Sequence, residues 1–194
     1  MKEQKVKTWI IAGYNILSSE GWDGIIIERL AHTLGLNKSG FYHYFGSMEN
    51  FTECLLQHHF RMAQKIGEEI RKCKAIDRDL LHLIVRYKVF FLVESQLLIK
   101  SKPVNAKGDI DVAGKILGEE FLALLKKSSS KLPEDSSLTL AYLDILRYFF
   151  YARINSNNIN YQFLRQLTSE TVAIMNKLTV EKYFLTHRSR GHLL

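Results

Sequence analysis

Residues 26–45 read IIERLAHTLGLNKSGFYHYF, and the fold of the amino-terminal part of the chain follows from this stretch. Its first half predicts a short helix, because apolar residues recur at spacings of three and four and so form one buried face. These residues are Ile27, Leu30, Ala31 and Leu34. Gly35 favours the left-handed conformation that ends a helix, and Asn37 is a preferred N-cap for the next helix. The stretch therefore predicts two helices joined by a tight turn.

The second helix of this pair is predicted from Lys38 to Phe45. Phe41 and Phe45 lie four residues apart and face inward together, which leaves the other side chains pointing outward. The outward residues are Lys38, Ser39, Tyr42 and His43. A lysine and free helix amides can meet phosphates, and serine, tyrosine and histidine can hydrogen-bond to base edges. The pair is therefore predicted to be a helix-turn-helix that reads DNA, with an ordinary helical hairpin as the alternative.

The whole chain of 194 residues is predicted to be all-α, because it has two prolines and apolar residues at helical spacing throughout. Residues 1–47 are predicted to form a three-helix DNA-binding domain. Residues 48–194 are predicted to form a helical ligand-sensing and dimerisation domain. Its long helices are expected at about Met48 to Cys73, Asp77 to Lys100, Ile110 to Lys127, Glu134 to Ile154 and Ile159 to Phe184.

Charge and motif content restrict the classes of function. The net charge of +7 suits a polyanionic partner such as nucleic acid. Cys54 and Cys73 form neither a C-x-x-C pair nor a cysteine–histidine cluster, so we expect no disulfide framework and no metal site. The sequence has no G-x-S-x-G, H-E-x-x-H, P-loop or dinucleotide fingerprint, so we expect neither an enzyme nor a cofactor. Polar residues interrupt every apolar stretch, so we expect no membrane span, no signal peptide and a cytoplasmic location.

The segment from Ala12 to Leu55, AGYNILSSEGWDGIIIERLAHTLGLNKSGFYHYFGSMENFTECL, resembles the DNA-binding domain of TetR-family transcriptional regulators. The features that carry the resemblance are Glu20-Gly21-Trp22-Asp23, Leu30-Ala31, Gly35-Leu36, the FYHYF block at 41–45, Ser47 and Glu49. The resemblance implies that six residues contact DNA: all except Tyr44 enter the major groove or touch its walls, and Tyr42 and Tyr44 are expected mainly at phosphates. These residues are Lys38, Ser39, Gly40, Tyr42, His43 and Tyr44.

Four positions depart from the pattern of this family. Ile25 and Ile26 stand where threonines would cap the second helix and touch phosphate, and Met48 stands where a lysine would approach the DNA backbone. Gly40 replaces a common threonine, which costs about 1 kcal/mol of helix propensity but permits a closer approach of the backbone to DNA. We therefore expect fewer phosphate contacts than the family usually makes.

An aromatic helix face after residue 80 carries one carboxylate and is a candidate wall of a ligand pocket. The candidate ligand-binding residues are Tyr87, Phe91, Glu94 and Tyr142. The alternative is a plain core in which Glu94 reaches solvent at the edge.

Two apolar stripes lie on the last two long helices. They consist of Leu138, Tyr142, Ile145, Phe149 and Ala152, and of Phe163, Leu167, Ile174 and Leu178. The resemblance implies that these helices pair with their symmetry mates in a homodimer. Such a dimer would place two reading helices about 34 Å apart on a palindromic operator.

The predicted function is a ligand-responsive transcriptional regulator, a repressor that releases its operator when a small molecule binds the carboxy-terminal domain. Activation in place of repression remains open. A ligand-binding or protein-interaction module that keeps the helix-turn-helix only as scaffold also remains open, because Ile25, Ile26 and Met48 remove expected phosphate contacts.

Overall fold

A computed structural model describes residues 2–99, 107–128, 136–171 and 173 of the chain. Within these residues the regular structure is helical and no strand is present, which confirms the predicted all-α class. None of the described helices combines the length and the hydropathy that a membrane crossing requires.

The amino-terminal helices match the prediction closely. Their bounds are α1 Lys2–Glu20, α2 Ile27–Thr33, α3 Lys38–Phe45 and α4 Met48–Lys72, with a single 3-10 turn at Trp22–Gly24. The bounds of α3 are those that the sequence predicts, because caps on both sides define them.

The later helices differ from the prediction at one place. They are α5 Leu81–Arg86, α6 Lys88–Ile99, α7 Lys107–Ser128 and α8 Ser136–Arg153, with α9 over residues 161–171. The single helix predicted from Asp77 to Lys100 is wrong, because a π-helical turn at Ile76–Leu80 precedes α5 and Tyr87 separates α5 from α6. The amides of Phe90 and Phe91 both donate to the Tyr87 carbonyl, so the helix restarts there without a proline or glycine.

An aromatic core holds α1, α2, α3 and α4 together. Trp9, Phe41 and Phe51 are fully buried, and the Phe41 ring lies 5.6 Å from Trp9 and 5.1 Å from Phe51 in edge-to-face contacts. Such aromatic pairs add stability beyond the area they bury. Val93 of α6 belongs to the same core, so α2 and α3 are anchored to α6 as well as to α1 and α4.

The described chain divides into one compact unit that ends at Ile159 and a second that begins at Asn160. In the first unit, α4 packs along α7, α1 along α6, and α6 along α8. In the second, the Asn160 side chain accepts a hydrogen bond from the Phe163 amide at the start of α9. The predicted domain boundary after residue 47 stays a prediction.

Candidate nucleic-acid interface

The turn between α2 and α3 is built by backbone hydrogen bonds. Gly35 adopts φ 63°, in the left-handed region that glycine favours. The Gly35 amide donates to the His32 carbonyl at 3.1 Å, and the Leu36 amide donates to the Ala31 carbonyl at 2.8 Å. These two bonds form a Schellman motif, which satisfies carbonyls that the end of α2 would otherwise leave free.

The first turn of α3 is capped by Asn37, as the sequence predicts. Its Oδ1 accepts a hydrogen bond from the Gly40 amide at 2.9 Å and another from the Ser39 hydroxyl at 2.8 Å. The Ser39 proton is therefore directed at the cap, and its oxygen remains able to accept from a ligand. A Cβ added at Gly40 would meet only Asn37 Oδ1, at 3.4 Å, so the outer side of this turn is open to an approaching molecule.

The two faces of α3 are divided as predicted. Phe41 and Phe45 are buried, whereas Lys38, His43 and Tyr42 are exposed, with Tyr42 52% exposed. Tyr44 is half-buried, and its ring makes an edge-to-face contact with His43 at 5.1 Å. Four of the six predicted DNA-contacting residues therefore lie on the exposed surface of α3, whereas Gly40 and Tyr44 are half-buried.

An acidic residue that the sequence prediction missed lies beside this surface. Lys38 Nζ forms an exposed ion pair with Glu28 Oε1 of α2. The hydrogen bond from Lys38 lowers the pKa of the Glu28 carboxyl, so Glu28 is negatively charged where a polyanion would approach. The two residues are ten positions apart across the turn, and no local pattern in the sequence pairs them.

Two of the positions at which the sequence departs from the TetR pattern make apolar contacts. Ile25 and Met48 are half-buried and pack against the aromatic core, whereas Ile26, the N-cap of α2, is 48% exposed. No side chain caps α2 at Ile26, which confirms the predicted loss of a cap. The amino terminus of α4 is capped, because Ser47 Oγ accepts a hydrogen bond from the Asn50 amide at 3.2 Å.

The candidate ligand-binding residues make contacts with different partners. The Tyr87 hydroxyl donates to Glu69, and the Phe91 ring packs edge-to-face against Phe150 at 6.2 Å. Glu94 contacts His59 instead, and the side chain of Tyr142 lies outside the described residues. The structure therefore does not bring the three described candidates to one shared contact.

Glu94 is buried in a polar chain that joins three helices. Its exposure is 2%, so the alternative in which Glu94 reaches solvent is wrong. Glu94 Oε1 lies 2.8 Å from His59 Nε2, and His59 Nδ1 lies 2.6 Å from the Tyr14 hydroxyl. Both contacts are hydrogen bonds when Nε2–H donates to Glu94 and Nδ1 accepts from Tyr14. The chain ties α1 to α6 through α4, and burial together with the Glu94 charge raises the pKa of Tyr14 well above its usual value.

The predicted dimerisation helices are described in part. On α8, Ile145 is 61% exposed and Ala152 is exposed. The side chains of Leu138 and Tyr142 and the residues Ile174 and Leu178 lie outside the described part of the chain. The homodimer therefore stays a prediction. Among the described residues, no group of histidine, cysteine and acidic side chains could hold a metal ion.

Comparison with models of known protein families gives no match, and comparison with curated protein sequences gives no significant match. The functional argument therefore depends on the chemistry of the described residues.

Proposed function

We propose that the chain is a DNA-binding transcriptional regulator of the TetR type, in which α2 and α3 form a helix-turn-helix. The observation that carries this proposal is the capped helix α3, whose Lys38, Tyr42 and His43 are exposed while Phe41 and Phe45 are buried. A helix held rigidly by its apolar face can present its polar face to the major groove. The net charge of +7 favours the same partner.

The proposed regulator acts as a homodimer that occupies a palindromic operator, because a single short helix reads few base pairs. A small molecule bound by the helices after α3 shifts the protein between two conformations that differ in DNA affinity. Ile145 and Tyr148 lie three positions apart on α8 and are 61% and 53% exposed, so they offer an apolar surface for pairing with a second copy. We propose repression as the sign of regulation, with activation as the alternative.

The test is binding to DNA from the region upstream of the protein's own gene, measured by gel shift. The double variant Lys38→Ala with Tyr42→Ala removes a phosphate contact and a contact in the groove, so retention of the DNA should be lost. Circular dichroism should show an unchanged helical spectrum, because both side chains are exposed. Lys115→Ala, which removes the same charge from the exposed face of α7, is the control and should bind normally.

Unchanged retention of the DNA by the double variant would contradict the assignment. A second candidate function, a helical ligand-binding or protein-interaction module with a scaffold helix-turn-helix, is favoured by the apolar packing of Ile25 and Met48. The dependence of DNA affinity on salt concentration distinguishes the two functions. A regulator loses affinity steeply as salt rises and prefers its own upstream region, whereas a scaffold has no such preference.

A further inference from the structure

Ser39 lies on the exposed face of α3, one helical turn before Tyr42 and His43. Its hydroxyl contacts Asn37 Oδ1 at 2.8 Å, and the Gly40 amide donates to the same atom at 2.9 Å. A backbone N–H can only donate, so the Asn37 atom that faces Gly40 is the side-chain oxygen. That oxygen carries no proton, and the Ser39 hydroxyl is therefore the donor in its own contact. The single hydroxyl proton of Ser39 is used inside the protein.

The Ser39 oxygen can consequently only accept a hydrogen bond from a molecule outside the protein. A hydroxyl has one proton and two lone pairs, and the lone pairs stay available when the proton is used. None of the described residues donates a hydrogen bond to this oxygen. A serine whose hydroxyl turns freely would donate to one base and accept from another. The capped hydroxyl of Ser39 has one polarity.

The edges of the bases in the major groove differ in this polarity. Adenine presents its N6 amino group there and cytosine its N4 amino group, whereas guanine O6 and N7 and thymine O4 only accept. The Ser39 oxygen meets an amino group without any rearrangement. Opposite a keto oxygen, Ser39 must either give up its hydrogen bond to Asn37 or leave two oxygens facing each other. Both alternatives cost about one neutral hydrogen bond.

We propose that Ser39 selects adenine or cytosine over guanine and thymine at one position of the DNA site. Asn37 is the positioning residue, because its cap fixes the polarity of the Ser39 hydroxyl. The proposal rests on the proposed function, since the partner is a DNA base. The first residues of a recognition helix are those that reach base edges, and Ser39 is the second residue of α3.

The test begins with selection of binding sites for the full chain from random double-stranded DNA. Gel shift then measures the enriched sequence with the amino group removed from each enriched adenine or cytosine in turn, by substitution with purine or 2-pyrimidinone. At one position the loss of affinity should be roughly two- to tenfold larger for the natural protein than for Ser39→Ala, which has no partner for the amino group. Ser169→Ala is the matched control. It removes an exposed hydroxyl that donates to the Arg165 carbonyl in α9, and it should behave as the natural protein does.

Variants at the cap separate the polarity of the Ser39 hydroxyl from its presence. Asn37→Asp keeps an oxygen that accepts both hydrogen bonds, so the preference for an amino group should persist although the added negative charge lowers the affinity for DNA. Asn37→Gly is tolerated at an N-cap but releases the hydroxyl proton, so Ser39 should then accept guanine or thymine at the same position. The preference for adenine or cytosine should fall below about twofold in this variant.

The outcomes distinguish this proposal from the DNA assignment. If an enriched sequence is found and Ser39→Ala responds to every base substitution as the natural protein does, the role of Ser39 is wrong and the regulator assignment stands. A full preference for the amino group in Asn37→Gly would overturn the role of the cap. Selection that enriches no sequence would overturn both the regulator assignment and this proposal.

Discussion

Lys38 is exposed at the start of α3 and yet forms an ion pair with a neighbouring side chain. It lies at the start of α3, where free amides and a positive charge suit a phosphate. Its ion pair with Glu28 is exposed, and exposed pairs exchange readily with other partners. If α3 contacts DNA as proposed, a phosphate that binds Lys38 has to displace Glu28, so Glu28 would compete with the DNA for Lys38.

Replacing this competitor should strengthen DNA binding. Glu28→Gln removes a negative charge from the proposed interface and releases Lys38, so affinity for the upstream DNA should rise roughly two- to fivefold at low salt. The dependence of affinity on salt should also become steeper, because Lys38 then displaces a counterion from the DNA. Gel shift over a range of salt concentrations measures both effects.

Glu68→Gln provides the control for this change. Glu68 is exposed near the far end of α4, so its substitution makes the same change in net charge away from the proposed interface. An equal gain of affinity in both variants would show that net charge, and not the Lys38 contact, is responsible.

At the scale of the elements, α1 and α4 pack closely against each other at Gly13. A Cβ added at Gly13 of α1 would lie 2.6 Å from Phe51 Cζ of α4, which is too close without a shift of one helix or of the ring. Phe51 in turn packs on Phe41 of α3. The position of α3 therefore depends on Gly13 of α1 through Phe51 of α4.

Two glycine substitutions should have opposite effects on the free energy of unfolding. Gly13→Ala should lower it by about 1–3 kcal/mol, because the added methyl overpacks the core. Gly118→Ala should raise it by about 0.5–1 kcal/mol, since nothing lies within 4 Å of the added Cβ in α7 and alanine favours a helix. Urea unfolding measures both. A Gly13→Ala protein as stable as the natural sequence would mean that α1 and α4 are not packed as closely as described.

At the scale of the whole molecule, buried polar groups connect helices that are far apart in the chain. Tyr14, His59 and Glu94 join α1, α4 and α6, and Tyr151 of α8 is also buried. Burial, followed by the Glu94 charge, raises the pKa of both tyrosines well above the usual value. Each phenol is therefore kept protonated by the fold.

The raised pKa of Tyr14 and of Tyr151 predicts a loss of stability at alkaline pH. A tyrosine whose pKa is raised on folding contributes stability that is fully present below its unfolded value, about 10, and is lost as the pH rises above it. The free energy of unfolding should fall by up to about 1.4 kcal/mol per pH unit for each tyrosine. Urea unfolding between pH 8 and pH 11 measures the slope.

Single variants show which tyrosine causes the fall in the free energy of unfolding at alkaline pH. Tyr14→Phe should reduce the slope, although it lowers stability at neutral pH because His59 Nδ1 loses its partner. Tyr42→Phe removes a phenol that is 52% exposed, so it should keep the slope of the natural sequence. The same slope in Tyr14→Phe would contradict the buried role of this phenol.

The amino-acid sequence was sufficient for the all-α class, the bounds of α3, the Asn37 cap and the inward face of Phe41 and Phe45. These features depend on residues within about four positions of one another, where helix periodicity and capping act. The resemblance to TetR regulators extended this local reading to function, and that extension stays a proposal.

Contacts between distant residues became evident in the folded chain. Glu28 and Lys38 are ten positions apart, and His59 lies 45 positions from Tyr14 and 35 from Glu94. No proline or glycine in the sequence indicates the break between α5 and α6 at Tyr87. The Tyr87 hydroxyl donates a hydrogen bond to Glu69 of α4. Packing of one helix on another selects these partners, and a pattern within one helix carries no information about which helix will lie beside it.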